Sequence, residues 1–166
     1  AYIFATTIIG GDSIWYYTSS LNVLREFSVG TTAVQYLTAI FTVGFGLTYI
    51  STFLVFNIIG SYGLLAFDAT LRHINKNKSG FVKSLSLFII LLPSLSFWSS
   101  AIGKDSIHFM ATTFLLWSCI DFNKRKKMFL FSLGLIFLVR PHISGIAIIA
   151  FTLSIIFIKT YSPSMK

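Results

Sequence analysis

Between Glu26 and Asp68 lie 41 consecutive residues without a charge. As one helix they would run about 60 Å, roughly twice the thickness of a bilayer's hydrocarbon core. The stretch must break, and Gly44 and Gly46 in "VGFGL" mark the place. That leaves a short helix over residues 32–43 and a full span over residues 47–67. The short piece would be about 18 Å long, too short to cross, so it is expected to be interfacial or re-entrant.

Hydrophobic residues make up 55% of the 166 and charged residues 11%, more apolar material than a soluble domain of this size encloses. The expected fold is therefore all-α, a polytopic transmembrane helix bundle. An excess of 13 basic over 5 acidic residues would suggest nucleic acid in a soluble protein. Here eight of the thirteen sit in two short segments, residues 68–83 and 121–127. The positive-inside rule reads both as cytoplasmic loops, so no nucleic-acid partner is expected.

The rest of the topology follows from those two loops. Residues 84–103 and 106–120 are apolar enough for two further spans, the first kinked at Pro93, with the tip "SSAIGKD" outside. Residues 10–31, which include "GGDS", form an external loop on the same logic. The apolar run 128–158 is interrupted by Arg140, Pro141 and His142, so Pro141 is expected to divide it into a broken helix pair. One transmembrane domain covers residues 1–166. The start "AYIFATT" has neither an initiator Met nor a signal-peptide pattern, so the chain reads as part of a longer protein.

Against this background each ionisable residue is conspicuous. Lys104, Asp105 and His108 are spaced so that all three fall near one helical face. A solvated hairpin tip accounts for Lys104 and Asp105; a wet pocket, with "FWSS" before it and His108 one turn deeper, accounts for all three. Asp12 follows the flexible pair Gly10–Gly11 and precedes Tyr16 by one turn. It is either the cap of an interfacial helix anchored by Trp15, Tyr16 and Tyr17, or a general base beside aromatic faces that can stack on a sugar. Arg140 cannot shed its charge, so it either snorkels to an interface or holds an anion, for which phosphate is suited. His142 follows one residue beyond Pro141.

Other residues read as structural. Arg25 and Glu26 form a solvated pair, Asp68 and Asp121 flank the basic loops, Cys119 is a small packing residue, and Gly60 and Gly63 are helix-packing positions. The "NKS" acceptor motif at residues 77–79 falls on the cytoplasmic side and is set aside. No metal cluster, phosphate loop, nucleophile elbow or dinucleotide fingerprint occurs.

Taken in order, "GGDS…YY", "GSYGLLAFDATLRH", "LPSLSFWSSAIGKDSIHF" and "LVRPHISG" resemble bacterial polytopic proteins of cell-surface polysaccharide loci, related to the GT-C membrane glycosyltransferases. The likeness runs from about Gly10 to Gly145. It implies a transferase of the bacterial inner (plasma) membrane that uses a polyprenyl-phosphate-linked sugar donor at the external face. Asp12 would correspond to the base acting on the acceptor and Asp105 to a second external acidic position. Lys104 and Arg140 would hold the lipid-linked phosphate, with His108, His142 and Tyr16 as further substrate contacts. The implied partners are the lipid bilayer, the lipid-linked donor and a saccharide or lipid acceptor; no cofactor is implied, and a divalent metal is left open. Such transferases usually have about twice this many spans. Alternatives are a polymerase or ligase of polysaccharide repeat units, a transporter or flippase component, and a non-catalytic subunit packing against other membrane subunits.

Overall fold

A computed structural model describes residues 12–22 and 26–161, with side chains described as far as residue 157. Arg25 and the Gly10–Gly11 turn lie outside the described residues. The described chain is all-helical, without a strand. Its helices are α1 (Asp12–Leu21), α2 (Thr31–Ala39), α3 (Tyr49–Ile74), α4 (Gly80–Ile90), α5 (Pro93–Ser99), α6 (Lys104–Ile120), α7 (Phe122–Val139) and α8 (Pro141–Tyr161), with a π-helical turn (Ile40–Gly44) continuing α2.

The chain breaks where backbone chemistry requires it. Gly46 at φ 64° turns the chain out of the π-helical turn, and Thr48 then caps α3, its hydroxyl accepting the Ser51 N–H. Pro93 opens α5 in its first turn, where its missing N–H costs nothing. Arg140 stands at φ −144° between α7 and α8, and Pro141 starts the new helix.

α3 shows how the bundle is organised. Its inward face carries Thr52, Phe53, Phe56, Gly60, Gly63 and Ala66, all buried. Its outward face presents Ile50, Leu54, Ile58, Tyr62 and Leu65, each more than half exposed. The small inward residues admit close neighbours: a Cβ on Gly63 would lie 2.9 Å from Met110 Cα, and one on Gly60 would collide with the Ser99 carbonyl. α3 therefore packs tightly on α6 and on α5. α6 continues into α7 as an antiparallel pair, and α8 packs on α7.

Buried hydroxyls bond back into their own helices. Thr38 donates to Val34 O, Thr70 to Ala66 O, Thr113 to Phe109 O and Ser132 to Met128 O. Such side chains satisfy themselves without water or a neighbouring helix.

Three elements differ from the sequence reading. α3 runs on to Ile74, seven residues beyond 67, because Asp68 and Arg72 pair at 2.8 Å across one turn and Arg72 and His73 suit the C-terminal dipole. The segment 121–127 is mostly the first turns of α7, bent at Arg125, rather than a loop. The region 10–31 contains α1.

Among the described residues one helix, Tyr49–Ile74, is long and apolar enough to cross a membrane, or two if the pair α4–α5, bent by 41°, counts as one span. α6, with 17 residues, would measure about 26 Å and carries Lys104 and Asp105 in its first turn. Pro141–Phe157 is a shorter apolar stretch.

Candidate functional site

The two ends of the bundle differ in chemistry. At one end α3 stops, α4 starts, and α6 hands over to α7. There the His73 ring stands edge-on to Trp117, with centroids 6.2 Å apart. The Arg125 guanidinium lies 4.0 Å over Trp117 and donates 2.9 Å to its carbonyl. The two basic segments thus share one end.

The opposite end gathers Asp12 and Tyr16 of α1, Lys104, Asp105 and His108 of α6, Arg140 at the break between α7 and α8, and His142 of α8. Its base is a buried cluster of Tyr16, Val34, Phe53, Ile102, Ile107 and Val139, completed by Phe56. α1 is moored there by Ser13 to the Tyr49 hydroxyl at 3.0 Å and by Ser20 to Thr42 at 3.0 Å. The start of α2 is moored by its backbone: the Gly30 N–H donates 2.7 Å to Leu138 O, a carbonyl in the last turn of α7. Gly30 sits at φ 98°, a conformation that glycine adopts readily.

Above this base the charges form two pairs of contacts. Arg140 Nη2 donates to Asp105 Oδ1 at 2.5 Å. The pair is part-exposed, 33% for Arg140 and 50% for Asp105. Next to Asp105, Lys104 Nζ donates to Thr31 Oγ1 at 2.6 Å. Tyr16 lies beneath, 5% exposed, with its ring 3.6 Å from where a Gly103 Cβ would be. Burial pushes its phenol up from the ordinary value, with Thr31 opposing, so it remains a neutral hydroxyl. Asp12, one turn before it, is exposed at the start of α1 and adds its field to Tyr16, as do Asp105 and Arg140.

His108 lies one turn along α6, in the fields of Arg140, Asp105 and His142. His142 is exposed in the first turn of α8. All seven residues singled out in the sequence therefore fall at or near one end. Direct polar contact joins Asp105 to Arg140, whereas Lys104 contacts Thr31 instead.

A cleft of about 420 Å³ opens beside Asp105 between α5 and α6. His108 and Thr112 line it, and each holds a buried atom, Nδ1 and Oγ1, without a hydrogen-bond partner. Sequence reasoning missed Thr31, which lies 73 residues from its partner. It also passed over Thr112, although its spacing of four from His108 is a signal for a shared face. Among the described residues no group of three or more His, Cys, Asp or Glu side chains is placed to hold a metal ion. No protein-family model, curated protein or solved structure matches this chain.

Proposed function

We propose that this chain is a multi-pass membrane protein that transfers a sugar from a polyprenyl-phosphate donor, at the bundle end bearing Asp12, Lys104 and Arg140. The observation that carries the reading is that Lys104, at the start of α6, and Arg140, at the break after α7, stand at one bundle end with Asp105 and Asp12, away from the two basic segments. A membrane setting is supported by the outward apolar stripe of α3 and by the glycines, Gly60 and Gly63, on its inward face. This end faces outward if the two basic segments are cytoplasmic.

In this reading Asp12 takes the proton of an acceptor hydroxyl, and the freed oxygen attacks the anomeric carbon from the face opposite the leaving group. As the bond from that carbon to the phosphate oxygen breaks, negative charge builds on the phosphate. Lys104 and the unengaged N–H groups of Arg140 hold it. Asp105 acts as a positioning residue, fixing one edge of the guanidinium so that the others point to the donor. The lipid phosphate departs, and the sugar ends on the acceptor with inverted configuration.

The test is Arg140→Lys, which keeps the charge and removes the planar fork. At matched expression its use of a polyprenyl-phosphate sugar should fall at least about tenfold, equivalent to about 1.4 kcal/mol. Unchanged donor kinetics would sink the phosphate clamp and return Arg140 to a structural role.

A further inference from the structure

The first basic segment encloses a cleft of about 380 Å³ between the end of α3 and the start of α4. Its walls are tied together: Asn75 Nδ2 donates 2.6 Å to Ser86 Oγ, and that hydroxyl donates 2.9 Å to Val82 O. Three cations line it, Arg72 and Lys76 from the α3 side and Lys83 from α4, against one carboxylate, Asp68. Asp68 is engaged, since both its oxygens accept from Arg72 Nε at 2.8 Å. The guanidinium is thus held by one edge, and no hydrogen bond within the described residues uses its Nη groups. Lys76 and Lys83 have no ion-pair partner among the described residues.

The lining is ordered by depth. Along α4, Lys83, Leu87 and Leu91 follow one another at intervals of one turn, and both leucines are at least half exposed. Leu71 lines the opposite wall. The cations therefore stand toward the bundle end and apolar surface runs inward from them, beside the one helix that can cross a membrane by itself. Three cations against one carboxylate leave a surplus of positive charge that calls for an anion, and the leucines call for an apolar tail on it. A small soluble anion would leave the leucines bare, and an acyl chain alone would leave the cations unused. A nucleotide would find no aromatic ring in the lining on which to stack. A phosphodiester carrying acyl chains meets both demands, because its oxygens accept charge-assisted bonds from Lys and Arg while its chains cover the apolar wall.

We propose that this cleft holds an anionic phospholipid, with Lys76, Lys83 and the free edge of Arg72 around its phosphate and its acyl chains along Leu87 and Leu91. The proposal rests on the membrane setting of the proposed function and is independent of sugar transfer. The cleft lies at the bundle end opposite Asp12, Lys104 and Arg140, so it is separate from the donor clamp.

The test is native mass spectrometry of the full chain in detergent micelles, titrated in parallel with phosphatidylglycerol, phosphatidylcholine and inorganic phosphate. Phosphatidylglycerol should be retained in preference to phosphatidylcholine, and Lys76→Gln and Lys83→Gln should each weaken its retention by about fivefold. Both side chains are exposed, so neither change threatens folding. Lys127→Gln removes an equal charge from the other basic segment, outside the cleft, and should leave retention unchanged. Equal retention of phosphatidylcholine, an equal effect of Lys127→Gln, or retention that ignores both cleft variants would overturn the site. Displacement of the lipid by millimolar inorganic phosphate would make the cleft a site for a free anion and overturn the lipid as its occupant. Loss of lipid preference beside a positive Arg140→Lys result removes this site and leaves the donor clamp standing; the converse leaves this site standing alone.

Discussion

A guanidinium at a helix break must find an anion, and in this protein it finds Asp105. Both side chains are part-exposed, so solvent screens their attraction, and the pair contributes at most about 1 kcal/mol to stability. Asp105→Asn should therefore shift the melting temperature of the detergent-solubilised protein little. Under the proposed function it should still impair donor use, because Arg140 loses its orientation; a large thermal shift with normal donor use would reverse that assignment. Asp12→Asn separates two roles more sharply. Asn caps a helix nearly as well as Asp but cannot accept the acceptor's proton. Transfer should be abolished while expression and insertion stay near normal, and near-wild-type turnover would make Asp12 a cap alone. The sequence was informative about these residues because a charge within an apolar run is visible by itself. It was silent about Thr31, whose partnership with Lys104 comes from folding and has no local signature.

Among the elements, α3 is the most demanding. Gly60 and Gly63 let the α5 and α6 backbones approach closer than any side chain permits. Gly60→Ala should destabilise the bundle by about 1–3 kcal/mol, the usual range for overpacking, measured by thermal unfolding in detergent. Gly134, with open space where a Cβ would stand, is the control: alanine there should be neutral or slightly stabilising. Breaks at Gly44–Gly46, Pro93 and Pro141 were legible because glycine and proline act on the backbone directly. The extension of α3 to Ile74 was not, since a run of charges says where water begins and not where a helix ends. The π-helical turn was also hidden, as its hydrogen bond from Phe45 N–H to Ile40 O depends on how α1 and α3 seat it.

For the whole molecule, the all-α class was evident from composition, while the number of crossings was not. Among the described residues α3 alone has the length and apolarity of a crossing by itself, α4 and α5 do so only as a bent pair, and α6 with its 17 residues is about 26 Å long. Cysteine labelling addresses the sidedness. In a Cys119→Ala background, Ser28→Cys should react with an impermeant thiol reagent from outside and Ser79→Cys should not; the opposite pattern would place the charged cluster in the cytoplasm. The backbone bond from Gly30 to Leu138 adds a temporal dimension. Its donor is synthesised more than a hundred residues before its acceptor, so during translation α1 and α2 must wait, loosely held, until the ribosome has delivered α7. The charged end then closes only once α7 has been made, and a nascent chain halted before α7 would carry that end as an unfinished clasp.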